Sequence, residues 1–130
     1  MQNRQLISSG AKWENMICYS RAVKIGNVVE ISGTTAVDGD TIIGNDNVYE
    51  QAVFIFTKIE KTLQEAGSSL QDVVRTRMFV TDIGRWEEVG KAHALFFKGI
   101  NPATTMVEVS NLIDKRLLVE IEATAIISEE

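Results

Sequence analysis

The sequence predicts an α+β domain: a two-layer sandwich in which two helices cover one face of a mixed β-sheet. Three observations carry this prediction. Short segments alternate apolar and polar residues, as half-buried strands do. Two longer segments repeat apolar residues at three- and four-residue spacing, as one face of a helix does. Their order is strands, helix, strand, helix, strands, which lets both helices pack on one sheet. At 130 residues the chain is sized for one core, so residues 1–130 read as a single domain.

Arg21–Ile25 and Val28–Thr34 read as strands joined by Gly26-Asn27, a pair suited to a tight hairpin turn. Asp38-Gly39 marks a second turn before a short strand at Thr41–Ile43. Asn47, followed three residues later by Glu50, has the spacing of a capping box. The first helix runs over Val48–Ala66, with Ala52, Ile55, Ile59, Leu63 and Ala66 on one face and Gly67 as its stop. Val73–Val80 is a strand, with Arg75 and Arg77 on one side and Thr76 and Met78 on the other. Asp82 caps a second helix over Arg85–Phe97, whose apolar stripe is Trp86, Val89, His93, Phe96 and Phe97; Gly99 ends it.

Thr104–Val109 is a further strand, and Leu117–Ile127 a long final one. Leu117, Val119, Ile121, Ala123, Ala125 and Ile127 line one face of the final strand. Leu118, Glu120, Glu122, Thr124 and Ile126 line the other. Two helices cover only one sheet face. A half-apolar second face therefore points to packing against further copies of the chain, with closed symmetry.

Composition excludes several classes. Hydrophobic residues make up 45% of the chain, too many for a disordered segment. No apolar run approaches the ~18–20 residues that span a bilayer, and the polar N-terminus lacks the apolar segment of a secretory signal. A cytoplasmic protein with no membrane partner is expected. Cys18 is the one cysteine and His93 the one histidine, so no intrachain disulfide forms and no thiolate or imidazole metal site is expected. A net charge of −5 disfavours a nucleic-acid partner.

Few residues invite chemistry. Glu120 and Glu122 share one strand side about 6.5–7 Å apart, close enough to hold a water between a general base and its partner, or simply a solvated face. His93 reads foremost as a hydrogen-bonded core histidine, and Cys18 as an inert thiol. Arg75 and Arg77 read as ion-pair or solvated residues, with anion binding as the alternative. The glycines sit at turns and helix ends, and none forms a phosphate loop.

Three blocks resemble the RidA (YjgF) family. The first is Tyr19-Ser20-Arg21-Ala22-Val23-Lys24-Ile25-Gly26-Asn27 followed by Ile31-Ser32-Gly33. The second is Asp72-Val73-Val74-Arg75-Thr76-Arg77-Met78-Phe79-Val80-Thr81-Asp82. The third is Asn101-Pro102-Ala103-Thr104-Thr105-Met106-Val107-Glu108-Val109 followed by Val119-Glu120-Ile121-Glu122-Ala123. Together they span the chain from about Tyr19 to Ile127. The resemblance implies a chorismate-mutase-like fold and a homotrimer with clefts between subunits. It also implies cofactor-free hydrolysis of enamines and imines such as 2-aminoacrylate, although some relatives are described as endoribonucleases or translation inhibitors. By the same resemblance Glu120 holds the hydrolytic water, with Tyr19 and with Ser32 before Gly33 in the same pocket; the candidate substrate-binding residues are Thr104, Thr105, Arg21 and Gly33.

One position departs from the family pattern. The family's deaminases carry an arginine directly after Pro-Ala, where it grips the substrate carboxylate; Thr104 stands there instead. Losing a charged hydrogen-bonding group weakens binding by about 10- to 150-fold. The expectation is therefore a divergent member that binds a small metabolite, with weak or absent 2-aminoacrylate deaminase activity. The alternative is an imine hydrolase whose anion anchor has moved to Arg21 or Arg77.

Overall fold

The computed structural model describes residues 3–128. In chain order they form β1 (Arg4–Ile7), α1 (Lys12–Ile17), β2 (Ala22–Ile25), β3 (Val28–Thr34), β4 (Val37–Asp38), β5 (Thr41–Ile42), α2 (Val48–Glu65), β6 (Val73–Val80), α3 (Trp86–Phe97), β7 (Ala103–Glu108) and β8 (Val119–Ile126). Six strands make one sheet in the order β1-β2-β3-β8-β6-β7, and β4 pairs with β5 alone. All neighbours in the large sheet are antiparallel except β6 and β7, which run parallel with α3 as their connection.

The core lies between the sheet and the pair α2–α3. Helix α2 crosses β3 and β8 and packs beside α3. It buries Ala52, Ile55, Phe56, Ile59 and Leu63 against Val29, Ile31, Ile121 and Ala123 of the sheet. Along β8 the alternation is strict: Val119, Ile121, Ala123 and Ala125 are buried, whereas Glu120, Glu122 and Thr124 keep partial exposure. The start of α2 is set by Asn47, whose side chain accepts from Glu50 N at 2.9 Å, and its end by Gly67 at φ 78°.

Two expectations need correction, and the N-terminal stretch, to which the sequence assigned no element, contains β1 and α1. Helix α1 has only six residues and exposes Trp13, Met16 and Ile17, so it shows no apolar stripe; its one buried residue is Glu14. Trp86 does not join the buried stripe of α3 and is 55% exposed. It opens the helix, and a helical side chain leans back over the turn before it, which here carries it off the core. Asp82 caps the 3-10 turn Ile83–Arg85 that leads into α3, accepting from Gly84 N at 2.9 Å, rather than α3 itself.

No helix among the described residues is long and apolar enough to cross a membrane. The sheet face away from α2 and α3 carries Arg75, Arg77, Phe79, Thr105, Val107, Glu120 and Glu122, all at least partly exposed. Strand β7 forms its edge, and none of its residues is fully buried.

Candidate functional site

A bulge in β3 builds the first half of the site. Ile31 pairs with Ala123 and Thr34 with Ile121, so Ser32 and Gly33 together face the single residue Glu122. The bulge turns the Gly33 backbone toward Glu120. A Cβ at position 33 would overlap Glu120 Oε2 and lie 3.0 Å from its Cδ, so glycine leaves the space that the carboxylate occupies. Ser32 ties the bulge to the preceding hairpin, donating from Oγ to Ser20 O at 2.7 Å and from N to Arg21 O at 3.1 Å.

Arg21 completes this corner. Its Nη2 donates to Gly33 O at 2.5 Å, and its Nε is buried without a protein partner. Burial raises the Glu120 carboxyl above the usual range; the Arg21 charge opposes this and the Glu122 charge adds to it. Glu122 is itself engaged, lying 3.5 Å from Arg77 in a half-exposed ion pair of the kind worth about 0–1 kcal/mol. The two glutamates thus differ: Glu122 is paired, and Glu120 is the half-buried carboxylate with raised proton affinity.

Two buried polar groups steady this half from outside. Gln51 donates from Nε2 to Gly44 O at 3.0 Å and Arg116 O at 2.9 Å, and its Oε1 accepts from Leu118 N at 2.8 Å, fixing where β8 begins. Glu14 accepts from both Ser8 and Ser9 hydroxyls and from Ser9 N. Burial pushes its carboxyl up, but the hydrogen bonds from Ser9 and Ser8 outweigh this, and it titrates below the usual 4.5. The clasp holds α1, whose Glu14 carbonyl in turn accepts from Cys18 N and Tyr19 N at 2.9 and 3.0 Å. Tyr19 leaves this turn 37% exposed, with no side-chain hydrogen bond among the described residues.

The second half lies two strands away. Thr104 and Thr105 belong to edge strand β7 and pair with Thr76 and Arg77 of β6. Thr105 lies on the Glu120 face and accepts from Arg75 Nη2 at 2.6 Å. Thr104 lies on the opposite face with Thr76, whose Oγ1 donates to it at 2.6 Å. Thr76 is also 2.8 Å from His93 Nε2. His93 is therefore the hydrogen-bonded histidine expected from the sequence, packed on Phe97 at 4.6 Å and edge-on to Phe56 at 5.6 Å. Beside it a pocket opens between α3 and the chain leading into β7, lined by Gly90, His93, Phe97, Lys98, Asn101 and Pro102.

Within one chain, then, Arg21, Ser32, Gly33 and Glu120 come together, and Tyr19 projects from the adjoining turn. Thr104 stands apart from them, across the sheet. Sequence reasoning missed the Glu14 clasp and the His93–Thr76–Thr104 chain. The register of two strands would have been needed to find the latter. Among the described residues no group of three or more His, Cys, Asp and Glu side chains is placed to hold a metal ion.

Comparison with known proteins places this geometry. The family model described as Endoribonuclease L-PSP matches residues 11–127. A crystal structure of a YjgF/YER057c/UK114 family member from Mycobacterium tuberculosis superposes with a TM-score of 0.88 at 47% identity, covering 96% of this chain and all of that one. A Rid family protein of unknown function from Yersinia pestis gives 0.84 at 30% identity over 96% of this chain and 100% of the other. Among curated sequences, an uncharacterized Streptomyces coelicolor protein is 35% identical over 92% of this chain and 89% of its own length. A RutC family protein of Pyrococcus abyssi is also 35% identical, over 82% and 84%. With a family match over residues 11–127 and relatives at 35–47% identity covering most of both chains, the chain belongs to the RidA/YjgF family.

Proposed function

We propose that the protein is a homotrimer that binds a small carbonyl or imine metabolite in clefts between subunits, without a cofactor, and that its 2-aminoacrylate deaminase activity is weak or absent. The observation that carries this reading is the division of the site. Glu120 and Thr104 leave opposite faces of the sheet, two strands apart, so one chain cannot close both around one small ligand. A neighbouring copy seated on the open face could supply the missing half. That face mixes Phe79 and Val107 with charged groups that a partner could pair.

Glu120 suits the handling of water. A carboxyl whose pKa is raised by burial sits nearer the range where it can both take and return a proton at neutral pH. Were the reaction retained, a water oxygen would add to the imine carbon as Glu120 accepts its proton. That proton would pass to the nitrogen, giving a carbinolamine; its hydroxyl would then give up its own proton through Glu120 to the nitrogen as the C–N bond breaks, and ammonia and a carbonyl compound would leave. At position 104 a single neutral hydroxyl replaces the arginine clamp that would seat a substrate carboxylate.

A second reading is favoured by Arg21. Its guanidinium stands beside Glu120 with Nε unbonded, and could anchor an anionic imine from the other end of the cleft. Arg77 is the weaker candidate because Glu122 already engages it. An RNA-directed activity, suggested by the description of the family model, finds little support in a net charge of −5 and a single histidine held by Thr76.

The test measures assembly and chemistry together. Light scattering at micromolar protein should return three times the chain mass, and ammonia release from enzymatically generated 2-aminoacrylate should barely exceed background. A natively folded monomer would sink the cleft. Hydrolysis at the rate of an arginine-bearing relative, abolished by Arg21→Ala, would transfer the case to the second reading.

A further inference from the structure

The parallel pairing of β6 with β7 places Thr76 and Thr104 side by side beneath α3. Thr76 is fully buried, and a buried hydroxyl must find partners. It has one proton, which goes to Thr104 Oγ1 at 2.6 Å. Its lone pairs then face His93 Nε2 at 2.8 Å, an arrangement that goes with the tautomer protonated at Nε2. Thr104 in turn directs its own proton back to Thr76 O at 3.3 Å. The chain of three groups therefore has one direction, from imidazole to edge strand. Burial lowers the His93 pKa, which keeps the ring neutral and leaves a lone pair on Nδ1. His93 lines the pocket between α3 and the chain leading into β7, and Thr104, two hydrogen bonds away from it, is exposed on the edge strand.

We infer that His93, Thr76 and Thr104 act as one hydrogen-bonded unit that makes this pocket select uncharged polar ligands, such as amides and other neutral carbonyl compounds, over carboxylates. His93 is a positioning residue: by donating to Thr76 it fixes where the Thr104 proton points. The inference rests on the reading of position 104 as ligand-facing. A carboxylate entering here would surrender hydration to neutral dipoles whose protons are already committed, and would meet an imidazole lone pair. An amide meets the same groups well, since its N–H can donate to Thr104 Oγ1 or His93 Nδ1. Lys98 is the one charged residue among those lining the pocket, and it is exposed, so water screens it.

The probes are pyruvamide and pyruvate, nearly equal in shape and different in charge. They are titrated into the intact protein by calorimetry and by the backbone NMR shifts of residues 76, 93 and 104. Pyruvamide should bind about ten-fold more tightly than pyruvate, the worth of one well-made hydrogen bond. His93→Phe should bring the two probes to parity, because it keeps the ring between Phe56 and Phe97 but cannot donate. His93→Gln, which can donate from its amide, should restore part of the preference. A merely structural histidine would change the melting temperature in both variants and the probe ratio in neither. Imidazole nitrogen shifts should report the Nε2–H form in wild type and lose it in Thr76→Val. Pyruvate bound as well as pyruvamide overturns the inference, whether or not Lys98→Gln removes it. Probes that bind without moving residue 104, or that do not bind an intact trimer at all, overturn both the inference and the reading beneath it.

Discussion

The bulged end of β3 and the edge formed by β7 treat polarity in opposite ways. At the bulge the fold keeps charge: Glu120 and Arg21 share a half-buried corner, with Glu122 and Arg77 paired alongside. Under α3 it keeps only neutral groups, two hydroxyls and an imidazole, each tied to the next. The contrast follows from what surrounds them. The bulge lies on the open face, where water and a free carbonyl can solvate ions. Thr76 lies in the packed layer, where an unpaired ion would cost several kcal/mol and a chained hydroxyl costs little. A ligand bridging the two regions would meet a carboxylate able to move protons at one end and a neutral hydrogen-bonding surface at the other.

The change with the largest expected effect breaks this contrast. Thr104→Arg places a guanidinium at the neutral end, and pyruvate or 2-oxobutyrate should bind about 10- to 150-fold more tightly by calorimetry. Any imine hydrolysis gained should vanish when Glu120→Ala is added. An unchanged carboxylate affinity in an intact assembly would show that position 104 does not face the ligand.

Two glutamates sharpen the comparison through pH. The Glu14 carboxyl titrates below its usual 4.5, so the folded state holds its proton less tightly than the unfolded state does. Its stabilising share is present above pH 4.5 and is lost as pH falls through the folded value. Glu14→Gln removes the charge-assisted bonds from Ser8 and Ser9 and should cost about 1.5–3 kcal/mol at neutral pH, read from urea unfolding. Its deficit should shrink on acidification.

Glu120 behaves with the opposite sign. Its folded pKa is raised, so between the ordinary 4.5 and that higher value the folded state binds more protons, and stability falls as pH rises. Glu120→Gln should therefore melt higher than wild type at pH 7, with the advantage fading toward pH 4. A variant that melts lower at neutral pH would mean that the carboxylate is held by favourable partners and not strained by burial.

Gly33→Ala should have the smallest effect on stability. The group that the new methyl meets is the far end of a flexible side chain, so the fold can yield by turning Glu120 aside. The melting temperature should shift by no more than a few degrees, while a pH titration of the Glu120 side-chain carbonyl by NMR should show its pKa moving back toward the ordinary value. A large loss of stability with an unmoved Glu120 pKa would mean that the bulge backbone is the constrained element.

Much of this was legible in the chain, and unevenly so. Strands β2, β3, β6 and β8 and helices α2 and α3 were each marked by periodicity and by a turn or cap residue, because burial on one side forces apolar residues into register with the element's own repeat. The first 17 residues were not legible. Helix α1 is anchored by one buried carboxylate accepting from two serines, and such an anchor leaves no periodic trace. Within the candidate site, Glu120 and the Ser32-Gly33 pair stood out through family resemblance, and the structure adds that Gly33 makes room for the Glu120 side chain.

By itself the sequence determined the sheet-and-helix layering, which side of β8 faces the core, and the neutral residue at position 104. These are properties of local periodicity and residue identity, and neighbouring positions along the chain carry them. Only the tertiary structure decided that Arg21 reaches Gly33 twelve positions away, that Thr104 bonds Thr76 across 28 positions, and that Glu120 and Thr104 emerge on opposite faces of the sheet. Those relations depend on strand register and on one bulge, where a shift of a single residue exchanges the faces, and nothing in the spacing of residues along the chain fixes that shift.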